Sequence, residues 1–222
     1  MQIITDNGSN YKKACRLISQ KYPSIVWQPC LAHTINLMLK SIGAFPEHDA
    51  VISSARKISR WLYNHSKLHA MMKDAIGGEL VRWNATRFGT NYTFLDSFLR
   101  RKEKFMAWMG SERFLNSTFS STSDGRNAHQ TLTDLSWWDS VKFVVQSTEP
   151  LFSFLRFADQ DRKANLSEVL LRYRILDQEY ASLFHNDRAE YDKYMAVVHG
   201  RMHDITHNTY VAAGNISLLN LI

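Results

Sequence analysis

Within its first 42 residues the chain changes hydrophobic period three times, and that alternation restricts the folds it can begin with. Gln2 to Thr5 reads as the end of a strand, and Asp6-Asn7-Gly8-Ser9-Asn10 behind it is dense in turn and helix-capping residues. From Tyr11 apolar residues recur at spacings of three and four, at Ala14, Leu17 and Ile18, until Pro23 ends the pattern. Ile25, Val26 and Trp27 are β-branched or aromatic and mark a second short strand over Ser24 to Gln28, closed by Pro29. Ala32 to Ile42 then reads as a helix with Ile35, Leu39 and Ile42 on one face and Gly43 as its stop. Strand, helix, strand, helix is the order of an α/β unit.

After Pro46 the strand-like runs cease. Val51, Ala55, Ile58 and Leu62 predict one helix, and Leu68, Met71, Met72 and Ala75 predict another that ends at Gly77-Gly78. Leu95, Leu99, Phe105, Met106 and Met109 predict a third. Val141, Val144, Val145, Phe152 and Leu155 predict a fourth, which Pro150 should kink. The clearest runs through Leu166, Val169, Leu170, Tyr173, Leu176, Tyr180 and Leu183. Residues 116–134, rich in Ser, Thr, Asn and Gly, are expected to form a flexible loop. The expected organisation is an α/β segment over residues 1–45 and a predominantly α-helical domain over 46–222, with the boundary near residues 43–49.

With 45% hydrophobic and 12% aromatic residues, 222 residues can bury a sizeable core. The 27 Lys and Arg against 21 Asp and Glu give a net charge of +6, which favours polyanionic partners. The basic residues are dispersed; clusters such as Lys12-Lys13, Arg56-Lys57 and Arg100-Arg101-Lys102 are too short for a localisation signal. Cys15 and Cys30 cannot form a disulfide scaffold, and no apolar signal segment follows Met1, so an intracellular, reduced setting is expected. No run of about 20 apolar residues predicts a membrane span.

Three groups of residues invite a chemical reading. Asp6, an aspartate behind a strand, is suited to hold a hard cation through oxygen, and equally to shape the turn or cap the following helix. Cys30 and His33 form a Cys-x-x-His pair at a helix start. Two zinc ligands can be so spaced, but no second Cys-bearing pair completes a site, and a buried thiol beside a hydrogen-bonded histidine fits the same spacing. Arg82-Trp83-Asn84-Ala85-Thr86-Arg87-Phe88 mixes guanidinium groups, which meet phosphates, with rings, which stack on unpaired bases; it also fits an ordinary helix boundary. No Gly-rich phosphate loop, Gly-x-Ser-x-Gly elbow or His-Glu-x-x-His is present.

Taken in order, "IITDNGSNYKKACRLISQKYPSIVWQPCLAHTINLML", "ELVRWNATRFGTNYTFL", the Trp137-Trp138 helix ending "PLFSFLRFADQD" and, more weakly, "VAAGNISLLN" resemble the central segment of plant-type hAT transposases. The resemblance implies a ribonuclease H-like α/β fold, present here as a fragment, followed by a helical insertion domain. It also implies a nuclear, DNA-binding protein whose full-length parent forms oligomers. Such enzymes hold two divalent ions, Mg2+ or Mn2+, with two Asp and one Glu, and the ions activate the nucleophile for phosphoryl transfer. Asp6 corresponds to the second of these carboxylates. Cys30 and His33 correspond to a pair beside the active site that positions DNA. Thr86, Arg87 and Phe88 correspond to a DNA-binding motif whose ring stacks on a flipped or hairpin-end base. The family often has Trp where this chain has Phe88, and Phe offers less stacking surface.

Two elements of the pattern are missing: only Met1 to Thr5 precede Asp6, where an earlier strand should carry the first Asp, and no Ser-Glu-Arg context for the final Glu follows Val211. The expectation is a truncated transposase-derived protein, catalytically incomplete by itself. The alternative is a domesticated, non-catalytic DNA-binding or protein-interaction module. Whether an enzyme is completed by a partner chain is left open by the sequence.

Overall fold

A computed structural model describes residues 1–83, 89–160 and 166–207, with the side chains of 166 and 167 excepted. It divides the chain into two compact units: residues 43–148 form one, and residues 1–42 with the described residues from 149 onward form the other.

The unit that contains the N-terminus begins with β1 (Gln2–Thr5), α1 (Ser9–Lys21), β2 (Val26–Pro29) and α2 (Leu31–Ile42). β1 and β2 pair in parallel, from Gln2 opposite Val26 to Thr5 opposite Pro29. Parallel strands need a crossover, and α1 supplies it. Two bonds lock the register: Trp27 Nε1 donates to Thr5 Oγ1 over 2.9 Å, and the Cys30 amide donates to the Thr5 carbonyl over 2.7 Å. α1 buries only Cys15, while Tyr11 and Leu17 are exposed. α2 buries Thr34, Ile35, Met38, Leu39 and Ile42, which share one face at helical spacing.

Later in the chain the same unit contains the C-terminal part of α9 (Leu135–Ala158), then α10 (Leu166–Leu183) and α11 (Arg188–Thr206). α11 packs on α2, β2 and α10 through Tyr194, Met195, Val198, Met202 and Ile205. The Arg201 Nη2 donates to Ser41 Oγ over 3.0 Å, and Tyr180, Phe184 and Tyr194 form an aromatic cluster with centroids 4.8 to 6.0 Å apart. The sequence grouped the helices after Thr148 with residues 46–222; here they complete the unit that holds the strands, because α11 covers the buried face of α2.

The other unit comprises α3 (Pro46–Asn64), α4 (Ser66–Ile76), α5 (Gly89–Leu99), α6 (Lys102–Met109), α7 (Glu112–Leu115), α8 (Ser123–Thr133) and the N-terminal part of α9. Pro46 stands in the first turn of α3, where its missing N–H costs nothing, and Glu47 and Asp49 complement the helix dipole there. α4 ends at Gly77, whose φ of 76° is the left-handed conformation that closes a helix; the amides of Gly77 and Gly78 both donate to the Lys73 carbonyl. The core gathers Leu62, Leu68, Met72, Phe94, Phe98, Phe105, Phe114 and Trp138, all fully buried. Trp138 Nε1 donates to the Leu132 carbonyl over 2.9 Å and Trp137 Nε1 to Ser54 Oγ over 2.8 Å, so both indoles keep their polar atom paired.

Two expectations are corrected. Residues 116–134 are not a loop: turns lead to Thr122, whose side chain caps α8 by accepting from the Gly125 amide over 3.0 Å, and Ala128 and Leu132 anchor that helix in the core. Thr122 there acts as a cap, and Ser117, Ser120 and Ser121 donate their hydroxyls to carbonyls of the turns before it. The helix expected through residues 95–109 is two, α5 and α6, separated at Arg100-Arg101. α9 retains Pro150 within its span to Ala158, with Pro150 buried and Leu151 and Phe154 packed beside it. The α/β start and helical remainder stand as expected.

Candidate functional site

In a parallel pair both strands finish at the same end of the sheet, and in open α/β sheets this carboxyl end is where ligands are bound. Asp6 follows the last residue of β1, and Cys30 follows the last residue of β2. The bond from the Cys30 amide to the Thr5 carbonyl brings the two loops together, and His33 sits in the first turn of α2 directly after Cys30. The fold therefore gathers Asp6, Cys30 and His33 at one sheet end from positions 24 or more apart in sequence for the first two.

The loops there are tied by hydrogen bonds. Asp6 Oδ1 accepts from the Gly8 amide over 2.8 Å, which fixes one carboxylate oxygen in a tight turn. A Cβ on Gly8 would stand 2.9 Å from that oxygen and 2.8 Å from Asn10 Oδ1, so glycine lets the carboxylate fold back. Asn7 Nδ2 donates to Thr34 Oγ1 over 3.1 Å, and Thr34 Oγ1 donates to the Cys30 carbonyl over 2.9 Å, joining the β1–α1 loop to α2. Asn7 Oδ1 is buried and has no hydrogen-bond partner among the described residues. Asp6 and His33 are exposed, and Cys30 is a half-buried free thiol.

As a metal ligand, Asp6 offers the hard oxygen that Mg2+ or Mn2+ prefers, but as one donor only. Among the described residues no group of three His, Cys, Asp or Glu side chains stands close enough to hold an ion. Asp6, Cys30 and His33 share a sheet end without forming such a group.

Thr86, Arg87 and Phe88 lie outside the described residues, as does the weaker motif beginning at Val211. The residues that lead into the first motif are described, and they are held by an arrangement that sequence reading missed. Arg56, on α3, lays its guanidinium 4.5 Å from the centroid of Trp83 and donates from Nη2 to Asn91 Oδ1 over 2.8 Å. Its Nε is buried without a partner among the described residues, and burial lowers its pKa against the opposing pull of Asp49. Arg82 sits 5.1 Å from the Tyr63 ring. Tyr63 in turn accepts from the Leu80 amide over 3.0 Å and donates to Glu79 over 2.9 Å.

Glu79 is the knot of this strap. Lys73 Nζ lies 2.9 Å and His69 Nε2 2.8 Å from its carboxylate, and these partners, Lys73 foremost, hold its pKa down to about 2. The Val81 amide adds a 3.2 Å bond to Ser97 Oγ. Residues 79–83 are thus fastened to α3, α4 and α5 with two cation–aromatic pairs immediately before the Thr86-Arg87-Phe88 motif. The signal available in sequence was the Arg56-Lys57 cluster, which gives no hint of its ring partner.

Residues 1–58 match a family described as a domain of unknown function (DUF659), a domain found in plant hAT-like transposase-derived proteins. The match covers β1 through α2 and most of α3, about a quarter of the 222 residues, and includes Asp6, Cys30, His33 and Arg56. It relates this part of the chain to a transposase-related family. No curated protein and no solved structure matches the chain.

Proposed function

We propose that this chain is a transposase-derived DNA-binding protein of hAT type, built on part of a ribonuclease H-like sheet and a helical insertion domain. The observation that carries the reading is the DUF659 match over the segment with Asp6, Cys30 and His33 at one sheet end. The net charge of +6 and the cation–aromatic pairs leading into Thr86-Arg87-Phe88 support DNA as the partner. On this reading Arg82 and Arg87 meet phosphates, Phe88 stacks on an unpaired base, and Cys30 and His33 position the strand near Asp6.

Asp6 supplies one carboxylate toward a Mg2+ or Mn2+ ion, whose chemistry when bound is to stabilise charge on a transferring phosphoryl group. Asp6 is the residue matched to that carboxylate set, and the function proposed for this chain is DNA binding.

Fluorescence anisotropy with labelled duplex and hairpin DNA tests the reading. Affinity should fall steeply as salt rises from about 50 to about 200 mM, as counterion release requires, and the hairpin should be preferred because its end offers an unstacked base. Absence of salt-dependent binding to either DNA would contradict it.

A further inference from the structure

Two cavities open on the unit formed by residues 43–148, and Ser54 lines both. One, of about 330 Å3, lies between α3 and α8; the other, of about 570 Å3, lies between α3 and the start of α9. Together they follow one stripe of α3, through Glu47, Val51, Ser54, Ile58 and Trp61 at spacings of three and four. At 1.5 Å per residue that stripe is about 21 Å long. Its floor is apolar: Trp137, Phe143 and Val144 line the larger cavity beside Val51, and Ala128 lines the smaller beside Ile58 and Trp61. The bond from Trp137 Nε1 to Ser54 Oγ fixes the indole where the two meet.

The rim carries mostly one sign of charge. Asp134 and Asp139 stand at the larger cavity and Asp124 at the smaller, all three exposed, and Lys57 is the one Lys or Arg among the described residues that line either. Hydrogen bonds from the Ser136 hydroxyl and amide hold the Asp134 carboxyl below the usual carboxylate range, so it is ionised at neutral pH. On a chain of net charge +6 this face is acidic. Like charge repels phosphates, so it is separate from the DNA contact proposed above. The walls are helices, whose backbone groups are bonded internally, and an extended peptide docked against them would leave its own N–H and C=O groups unpaired. A helix brings its backbone bonds with it and sets side chains at spacings of three and four into such a groove.

We propose that this groove docks an amphipathic helix of a partner protein, about 14 residues long to match the stripe, with apolar side chains on the floor between Trp61 and Trp137 and Lys or Arg flanking them against Asp124, Asp134 and Asp139.

The test selects binders to the full 222-residue chain from a displayed library of helix-forming peptides of about 14 residues, and measures the enriched peptides by fluorescence anisotropy. The peptides should be net positive with apolar residues at spacings of three and four, and should gain helical circular dichroism on binding. Ala50 is exposed and lines the larger cavity, so Ala50→Arg puts bulk and like charge in the groove and should weaken binding about 10-fold or more. Asp139→Asn should weaken it about 2- to 5-fold, as loss of a rim charge does, and Lys57→Gln should tighten it by removing the opposing cation. Should Ala50→Arg fail to fold, the opposite signs at Asp139 and Lys57 decide. Enrichment of acidic or extended peptides, no enrichment, or basic peptides that bind the variants as they bind the wild type overturns the proposal.

Discussion

At the scale of single residues, Arg56 and Glu79 hold the segment that leads to the proposed DNA-binding motif, and each makes a separable prediction. Arg56→Lys keeps the charge but loses the planar face over Trp83 and the fork toward Asn91. It should destabilise the protein by about 1 kcal/mol in urea unfolding, the size of a partly buried cation–aromatic contact with one hydrogen bond. Glu79 has its folded pKa lowered to about 2, so its carboxylate stabilises the fold above the unfolded carboxylate pKa of about 4.3 and loses that contribution as pH falls toward about 2. Its side chain is 47% exposed, which screens the effect. Glu79→Gln should therefore cost no more than about 1 kcal/mol at pH 6, less in high salt, and the gap to wild type should narrow as pH falls from about 4 through about 2. Asp6 and the Cys30–His33 pair stood out in the sequence because a turn and a spacing of three are local features. Arg56 did not, because its hydrogen-bond partner Asn91 is 35 positions away.

At the scale of elements, the β1–α1–β2–α2 order was legible because its periods switch between sharp punctuation, Pro23, Pro29 and Gly43. The parallel register was not, since it depends on the long-range bonds from Trp27 to Thr5 and from Cys30 to Thr5. α8 was hidden by its polar composition, although it has a cap at Thr122 and apolar anchors at Ala128 and Leu132. That cap sets a prediction. Thr122→Ala should cost about 1 kcal/mol by leaving the Gly125 amide without its acceptor. Gly125→Ala should cost more, about 2 kcal/mol or above, because its Cβ would stand 1.9 Å from the Phe119 carbonyl oxygen and the backbone must shift. Urea midpoints for the two variants check the order; an alanine at 125 that costs less than one at 122 would contradict the packing. α11 went unread although Tyr194, Val198, Met202 and Ile205 fall at helical spacing, because His199, Gly200 and His203 interrupt the apolar pattern.

At the scale of the whole molecule, the chain is basic overall and exposes apolar side chains at its start. Met1, Ile4, Tyr11, Leu17 and Tyr22 are all exposed, and among the described residues the sheet has two strands, with no third strand there beside β1. The helical remainder hides its apolar residues far better, which is why a helical pattern was readable over most of the chain while DNA as a partner rested on resemblance and charge. The central claim is that the Arg82–Phe88 stretch contacts nucleic acid. Its most direct test is the slope of log affinity against log salt for hairpin DNA, measured for the wild type and for Arg82→Gln and Arg87→Gln. Each phosphate contact removed should lower the slope by about 1 and weaken binding to all DNA sequences alike. Slopes and affinities that match the wild type in both variants would contradict it.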